Sequence, residues 1–221
     1  MKKFAKNDII TSMPKITDMQ IQKSNKTRAN LYIDGQFAFG VEMLTVMKLG
    51  LKIGQEVTEQ KLQEAIFDSE KSVAFEKAMD YLSRGMKTKK QMTDYLFKKG
   101  YVPQVVYYVV DKLIDYKYVD DDTYARLYVE HNSSNKGNRR LSQELQQKGI
   151  ARDQAEQFAN IPKAEQEENA AALAAKYMRN KTNDVKTLQK LQRYLLSRGY
   201  DYDTVNGIIR AYKADNTTCD D

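Results

Sequence analysis

Three groups of side chains in this 221-residue chain could do chemistry, and each has a plainer structural use. Asp120, Asp121 and Asp122 form a run of carboxylates that could hold a magnesium ion. They also stand just ahead of a helical pattern, where carboxylates cap free N–H groups and oppose the helix dipole, so capping is the expected role. His131 is the single histidine and Cys219 the single cysteine, so no Cys/His metal set and no nucleophile–base pair can be assembled. No G-x-x-x-x-G-K-[ST] and no G-x-G-x-x-G occurs, which leaves nucleotide hydrolysis and dinucleotide binding without support. The chain is therefore read as a non-enzyme, with no catalytic residue, metal or cofactor.

The third group is basic, and it recurs in register. A Leu followed four residues later by Gly, with a basic residue just before that Gly, occurs at Leu96–Gly100, Leu145–Gly149 and Leu195–Gly199. The glycines are spaced by 49 and 50 residues, a period typical of stacked helical units. Thirteen residues before each Gly stand Lys87, Lys136 and Lys186, and one residue before stand Lys99, Lys148 and Arg198. Between these offsets lie Lys89, Lys90, Arg139, Arg140 and Lys190. In a solenoid, equal offsets occupy equal places on successive units and build a ridge that could track phosphates. The plainer use is solvation of helix ends, and for the residue just before the Gly, complementing the C-terminal dipole is the favoured reading.

The elements that must position these residues follow from periodicity. Residues 1 to about 12 look like a loose basic leader. Ile16–Ile21, Arg28–Ile33 and Gln36–Phe39 alternate as strands, with a Ser24-Asn25-Lys26 turn and an Asp34-Gly35 hairpin turn between them. A short helix from Glu42 to Lys48 ends at Gly50, and Thr58 opens another through Leu62, Ala65 and Ile66. From Ser72 onward every signal is helical, beginning with Ala74, Ala78, Tyr81 and Leu82 on one face and a stop at Gly85. Thr88 and Gln91 match a capping box, Gly100 suits a left-handed cap, and Pro103 suits a first helical turn. The third helices agree best: Val106, Val109, Val110 and Leu113 in one copy match Val205, Ile208, Ile209 and Tyr212 in another. The middle copy reads Ala155, Phe158, Ala159 and then Pro162, so its third helix is shorter. Met92, Leu141 and Leu191 share one inward offset, His131–Gly137 reads as a polar loop, and Ala164–Arg179 as a long helix.

Fold class follows: mainly α, a tandem of three three-helix units forming an elongated, curved solenoid-like body behind a small α+β N-terminal domain with a β-hairpin. The expected boundaries are 1–71 for the front domain, then 72–120, 121–162 and 163–221 for the repeats, the last with a frayed tail after Ala214. Most of the 15 tyrosines fall at core offsets, as Tyr81, Tyr124 and Tyr128 do. Tyr101 and Tyr200, just after the glycines, are the better candidates for stacking on bases.

Bulk properties agree with a helical binding protein. The net charge is +6, 30% of residues are charged, and the mean hydropathy is −0.71. No apolar run reaches the length of a membrane span, no h-region follows Met1-Lys2-Lys3, and one cysteine fits a reducing compartment, so a cytoplasmic location is expected. Without a basic tail, any polyanion must meet a folded surface.

The string Asp121-Asp122-Thr123-Tyr124-Ala125, then Tyr128-Val129, Gly137, Glu144-Leu145 and Lys148-Gly149-Ile150, resembles the central motif of the RecX family, regulators of the RecA recombinase. Ala78, Tyr81-Leu82-Ser83-Arg84 and Leu96–Gly100 resemble its first repeat, and Leu195-Leu196-Ser197-Arg198-Gly199-Tyr200 its last. The resemblance spans about residues 72 to 212. Two departures stand out. Thr88-Lys89-Lys90-Gln91-Met92 replaces the usual Ser-x-x-Glu-Leu, and Asp120 adds an acid to the middle motif. What the resemblance implies is a non-catalytic modulator that binds RecA and RecA–single-stranded DNA filaments. It would suppress strand exchange, ATP hydrolysis and co-protease activity in DNA repair and the SOS response. A monomer without membrane contact is expected, with DNA as a further partner. The candidate contacts, chosen by register alone, are Lys87, Lys90, Lys136, Arg139, Arg140 and Lys186, followed by Lys148 and Arg198. A nucleic-acid-binding repeat independent of RecA, or a protein–protein scaffold, are the competing readings.

Overall fold

The computed structural model describes residues 13–23 and 25–217. The basic leader, Ser24 of the first turn and Cys219 lie outside the described residues. Strands β1 (Ile16–Ile21), β2 (Arg28–Ile33) and β3 (Gln36–Glu42) form an antiparallel sheet in that order. The turn between β2 and β3 works as the dipeptide requires: Asp34 and Gly35 take φ of 45° and 80°, and Ile33 pairs with Gln36. β3 runs to Glu42, past the expected end at Phe39, because Glu42 pairs with Arg28 across the ladder. Helix α1 (Met43–Leu49) then closes on Gly50 in the left-handed region.

Helix α2 (Glu59–Leu82) runs unbroken through the expected boundary after residue 71. Its buried stripe of Leu62, Ile66, Glu70, Ala74 and Ala78 passes from the sheet to the first repeat without a change of face. The remaining helices are α3 (Lys89–Lys98), α4 (Pro103–Asp115), α5 (Asp121–Asn132), α6 (Asn138–Gln147), α7 (Arg152–Phe158), α8 (Lys163–Met178), α9 (Val185–Ser197) and α10 (Tyr202–Thr217). Three three-helix repeats therefore follow the sheet, and α7 is the short third helix that Pro162 demands. One element differs. His131 and Asn132 belong to α5, and Ser133–Asn135 make a 3-10 turn, so the polar loop is shorter than expected. The Asn132 side chain donates to the Tyr128 carbonyl at 2.7 Å and holds that last turn in place.

Two compact units result. One contains the described residues up to Gly85 together with Met92–Tyr118; the other contains Met86–Gln91 and the described residues from Val119 onward. The first unit is tied together by a buried ionic cluster that periodicity gives no sign of. Arg28 is fully buried and donates to the Glu42 carboxylate at 3.1 Å and to the carbonyls of Gly40 and Gly100, both at 2.6 Å. The second carboxylate, Glu70, accepts from the Glu42 amide at 2.7 Å, and burial pushes its pKa up. For Glu42 burial acts the same way but is outweighed by Lys77 and Arg28, which hold it below the usual range. Removing one partner of such a pair leaves a buried charge and costs about 3–5 kcal/mol. The second unit holds an apolar core in each repeat, around Leu145 and Ala155 in the middle one and Leu191, Leu195 and Val205 in the last.

Candidate functional site

Each repeat's second helix ends in the same hydrogen-bonded cap. Gly100, Gly149 and Gly199 take φ of 87°, 99° and 92°. Their amides donate to Phe97, Gln146 and Leu196, while the next residues, Tyr101, Ile150 and Tyr200, donate back to Leu96, Leu145 and Leu195. This is the Schellman arrangement, and it brings the residue after the Gly onto the apolar face. Tyr101 and Tyr200 are accordingly 3% and 2% exposed. The expectation that they are open for base stacking is wrong. The sequence signal for their burial is Ile150, an aliphatic residue at the same offset.

That cap also joins one repeat to the next. A helix C-terminus leaves carbonyls without partners. At offset −1 of the middle repeat, the Lys148 carbonyl accepts from the Thr88 hydroxyl at 2.6 Å. One period later the Arg198 carbonyl accepts from the Gly137 amide at 3.0 Å. Thr88 and Gly137 both stand twelve residues before their own Gly, so one stitch is used twice. Thr88 meanwhile forms the expected capping box, its amide donating to Gln91 Oε1 at 3.1 Å and its hydroxyl accepting from the Gln91 amide at 3.2 Å. The amide that replaces the family's Glu carboxylate thus still caps.

All eight candidate cations fall in the second unit, but they are not equivalent. Lys136 donates to Glu144 Oε2 at 2.6 Å and to the Tyr128 hydroxyl at 3.3 Å, and Arg140 donates to Glu144 Oε1 at 2.7 Å. Tyr128 donates to the same carboxylate. Burial pushes Glu144 up, yet bonds from Lys136, Tyr128 and Arg140 outweigh it and lower the carboxyl to about 2. Burial and the Glu144 carboxylate push the Tyr128 phenol up to about 12. Lys148 lies 5.1 Å from the Tyr128 ring, and Arg198 lies 5.0 Å from that of Tyr194. At the same offset in the first repeat, Lys99 lies over Tyr95 at 5.4 Å. The residue before each Gly therefore braces a tyrosine. Lys87 Nζ donates to the Met86 carbonyl at 3.3 Å, the Lys90 stem packs against Gly149, and Lys186 is exposed in the first turn of α9.

Arg139 differs from its neighbour. It is exposed, and its guanidinium has no hydrogen-bond or ion-pair partner among the described residues. It borders two grooves. One, about 460 Å³, lies between α6 and α7 and is lined also by Asn138, Ser142, Gln146 and Arg152. The other, about 580 Å³, runs to Gln166, Leu196 and the exposed Tyr202. Each groove also has one carboxylate, Glu156 in the first, which Arg152 pairs at 2.8 Å, and Asp201 in the second, and beside them the Arg139 guanidinium is suited to a phosphate or carboxylate oxygen. The paired tyrosines are less open: Tyr81 stacks on Tyr95 at 4.1 Å and Tyr177 on Tyr194 at 4.9 Å, so ring faces already have partners.

The acidic run is used for capping. Asp120 accepts from the Thr123 amide at 3.0 Å, and Asp121 accepts from the Lys89 amide at 2.7 Å. Among the described residues no His/Cys/Asp/Glu group could hold a metal, and no helix is long and apolar enough to cross a membrane.

Comparison with known proteins agrees with this architecture. The model of the regulatory protein RecX N-terminal domain matches residues 14–58, and those of the first, second and third RecX three-helix domains match 74–113, 120–157 and 164–209. A regulatory protein RecX of Clostridium botulinum is 32% identical over 90% of this chain and 96% of its own. One of Bacillus licheniformis is 31% identical over 92% and 80%. Among solved structures, a crystal structure of regulatory protein RecX is 28% identical with a TM-score of 0.58, covering 89% of this chain and 98% of that one. A crystal structure of RecX from Lactobacillus salivarius is 26% identical with a TM-score of 0.60, covering 66% and 99%. With four consecutive family domains matched in order over most of its length, the chain belongs to the RecX family of regulatory proteins.

Proposed function

We propose that this protein binds the RecA recombinase and its filament on single-stranded DNA, and restrains strand exchange, ATP hydrolysis and co-protease activity in DNA repair and the SOS response. It does so without catalysis of its own, from the cytoplasm. The observation that carries the reading is the stitch between successive repeats. Thr88 to Lys148 and Gly137 to Arg198 place equal offsets of the middle and last repeats by one hydrogen-bond rule. A surface built on one repeating rule suits a partner that is itself periodic, and several weak contacts within one unit add through linkage. Of the candidate contacts, Arg139 is the first choice, with Lys186 and Lys90 beside it. Lys136, Arg140, Lys148 and Arg198 act mainly by holding that surface in shape.

The test is RecA's DNA-dependent ATPase, using the recombinase of the same organism, with wild type beside Arg139→Glu. Inhibition well below one copy per RecA monomer by wild type, weakened in the variant, supports the reading. Absence of any wild-type effect on filament assembly, hydrolysis or strand exchange overturns it. Arg139 bordering two polar grooves also favours direct DNA contact as a second activity, which steep salt dependence of DNA binding without RecA would reveal.

A further inference from the structure

One position departs from the repeat, and it holds the carboxylate at the centre of the middle repeat's basic cluster. Five residues before each cap glycine stand Tyr95, Glu144 and Tyr194. In the first and last repeats this tyrosine stacks on one from the repeat's first helix, Tyr95 on Tyr81 at 4.1 Å and Tyr194 on Tyr177 at 4.9 Å. The middle repeat keeps the first-helix tyrosine, Tyr128, but its hydroxyl donates to a carboxylate instead. Packing between these helices therefore does not call for an acid at this offset. What the acid does is electrostatic. It accepts from Lys136 at 2.6 Å and from Arg140 at 2.7 Å, and Lys148 Nζ lies 5.1 Å from the Tyr128 ring. Three cations thus gather about one carboxylate, which its donors keep ionised at neutral pH. The Glu144 and Lys136 side chains are 14% and 19% exposed, while Arg140 is half exposed and opens the cluster to solvent.

We infer that Glu144 is a built-in stand-in for a phosphate: it occupies Lys136 and Arg140, and so holds down the protein's own affinity for single-stranded nucleic acid. The inference rests on the proposed direct contact with DNA and names the residue that limits it. Two carboxylate oxygens take an ammonium and a guanidinium here as two phosphate oxygens would. A tethered anion competes at high effective concentration with a phosphate arriving from solution. Cations neutralised in this way have no counterions to release when a strand binds, so they add nothing to affinity or to its salt dependence. Arg139, next to Arg140 but turned away from Glu144, escapes this restraint. The gain is selectivity. Discrimination is a difference of affinities, and an internal anion weakens the bare polyanion without touching contacts to a protein-coated strand.

The experiment titrates a fluorescent single-stranded oligonucleotide with the full chain over a salt series at neutral pH. Wild type is compared with Glu144→Gln, Glu144→Tyr and Glu167→Gln. Glu144→Tyr installs the residue that the other two repeats use at this offset, so it keeps the inference testable if the Gln variant fails a thermal melt. Glu167, exposed and 3.9 Å from Lys163, controls for net charge. Both Glu144 variants should bind about three- to tenfold tighter, with a salt slope steeper by about 0.7 to 1.4, the release expected for one or two phosphates on a single strand. Glu167→Gln should change little, and the gain should vanish when Lys136→Met and Arg140→Gln are added to Glu144→Gln. Binding unchanged or weaker in folded Glu144 variants overturns the inference while leaving direct DNA contact intact. A gain matched by Glu167→Gln, or one that survives loss of both cations, also overturns it, since net charge alone would then be the cause. Binding that appears only in the Glu144 variants supports it and removes DNA contact as an activity of the wild type. No binding by wild type or any variant overturns both.

Discussion

The backbone of Gly137 lies directly against the carbonyl of Gly199, so that a Cβ at Gly137 would collide with that carbonyl and with the amide of Tyr200. Gly137 has φ of −81°, which any residue can adopt, so the glycine is required by proximity and not by backbone conformation. Gly137→Ala should therefore destabilise the protein by about 1–3 kcal/mol, because backbone cannot give way as a flexible side chain would. Gly207 provides the control. It sits inside α10 with nothing within 4 Å of where an alanine methyl would stand, and Gly207→Ala should stabilise by about 0.5–1 kcal/mol. Denaturant titration of the two variants reads both signs.

Glu144 gathers Lys136, Arg140 and Tyr128 on one carboxylate whose pKa is lowered from 4.5 to about 2. A depressed carboxyl contributes stability above its unfolded pKa and loses it as the pH falls through the folded one. Its contribution should be full above about pH 5 and fade between pH 4.5 and 2. Glu144→Gln should unfold at lower denaturant than wild type at neutral pH, and the gap should close across that window. A gap independent of pH would show that shape, not charge, is what Glu144 supplies.

Arg139 and Arg140 are adjacent and should behave differently. Arg140→Glu places a like charge four residues from Glu144, in contact with it, and should lower stability by about 1–3 kcal/mol. Arg139→Glu should leave the melting temperature nearly unchanged while reducing the slope of DNA affinity against salt by about one. The pair of measurements separates a binding cation from a bracing one.

Tyr200 is buried and its hydroxyl has no hydrogen-bond partner. Burial pushes its pKa up to about 12. Replacing it by Phe removes an unsatisfied polar group at constant shape, so Tyr200→Phe should be neutral or stabilising by about 1 kcal/mol. Nucleic-acid binding should not change, because the ring faces the core of the last repeat. A marked loss of DNA affinity would return Tyr200 to the interface.

Local chemistry determined much of this protein in its sequence. Asp34-Gly35 needs two positive φ values and gets a hairpin; Thr88 and Gln91 satisfy each other's amides; Leu-x-x-x-Gly repeats because a Schellman cap needs those residues within one helical turn. Apolar spacing in Val106, Val109, Val110 and Leu113 likewise marked a buried face. Each of these depends on neighbours within a few positions, which a periodic reading sees. Register also found the basic residues, but not their fate. Whether a lysine is spent or available depends on what lies opposite it in space. Arg140 is spent because Glu144 stands one turn along and Lys136 comes in from the preceding loop, while Arg139 turns toward open grooves. The buried Arg28 is the extreme case. Its partners Glu42, Glu70 and Gly100 lie up to 72 residues away, and only tertiary packing could bring a charge that costly to bury together with the groups that stabilise it.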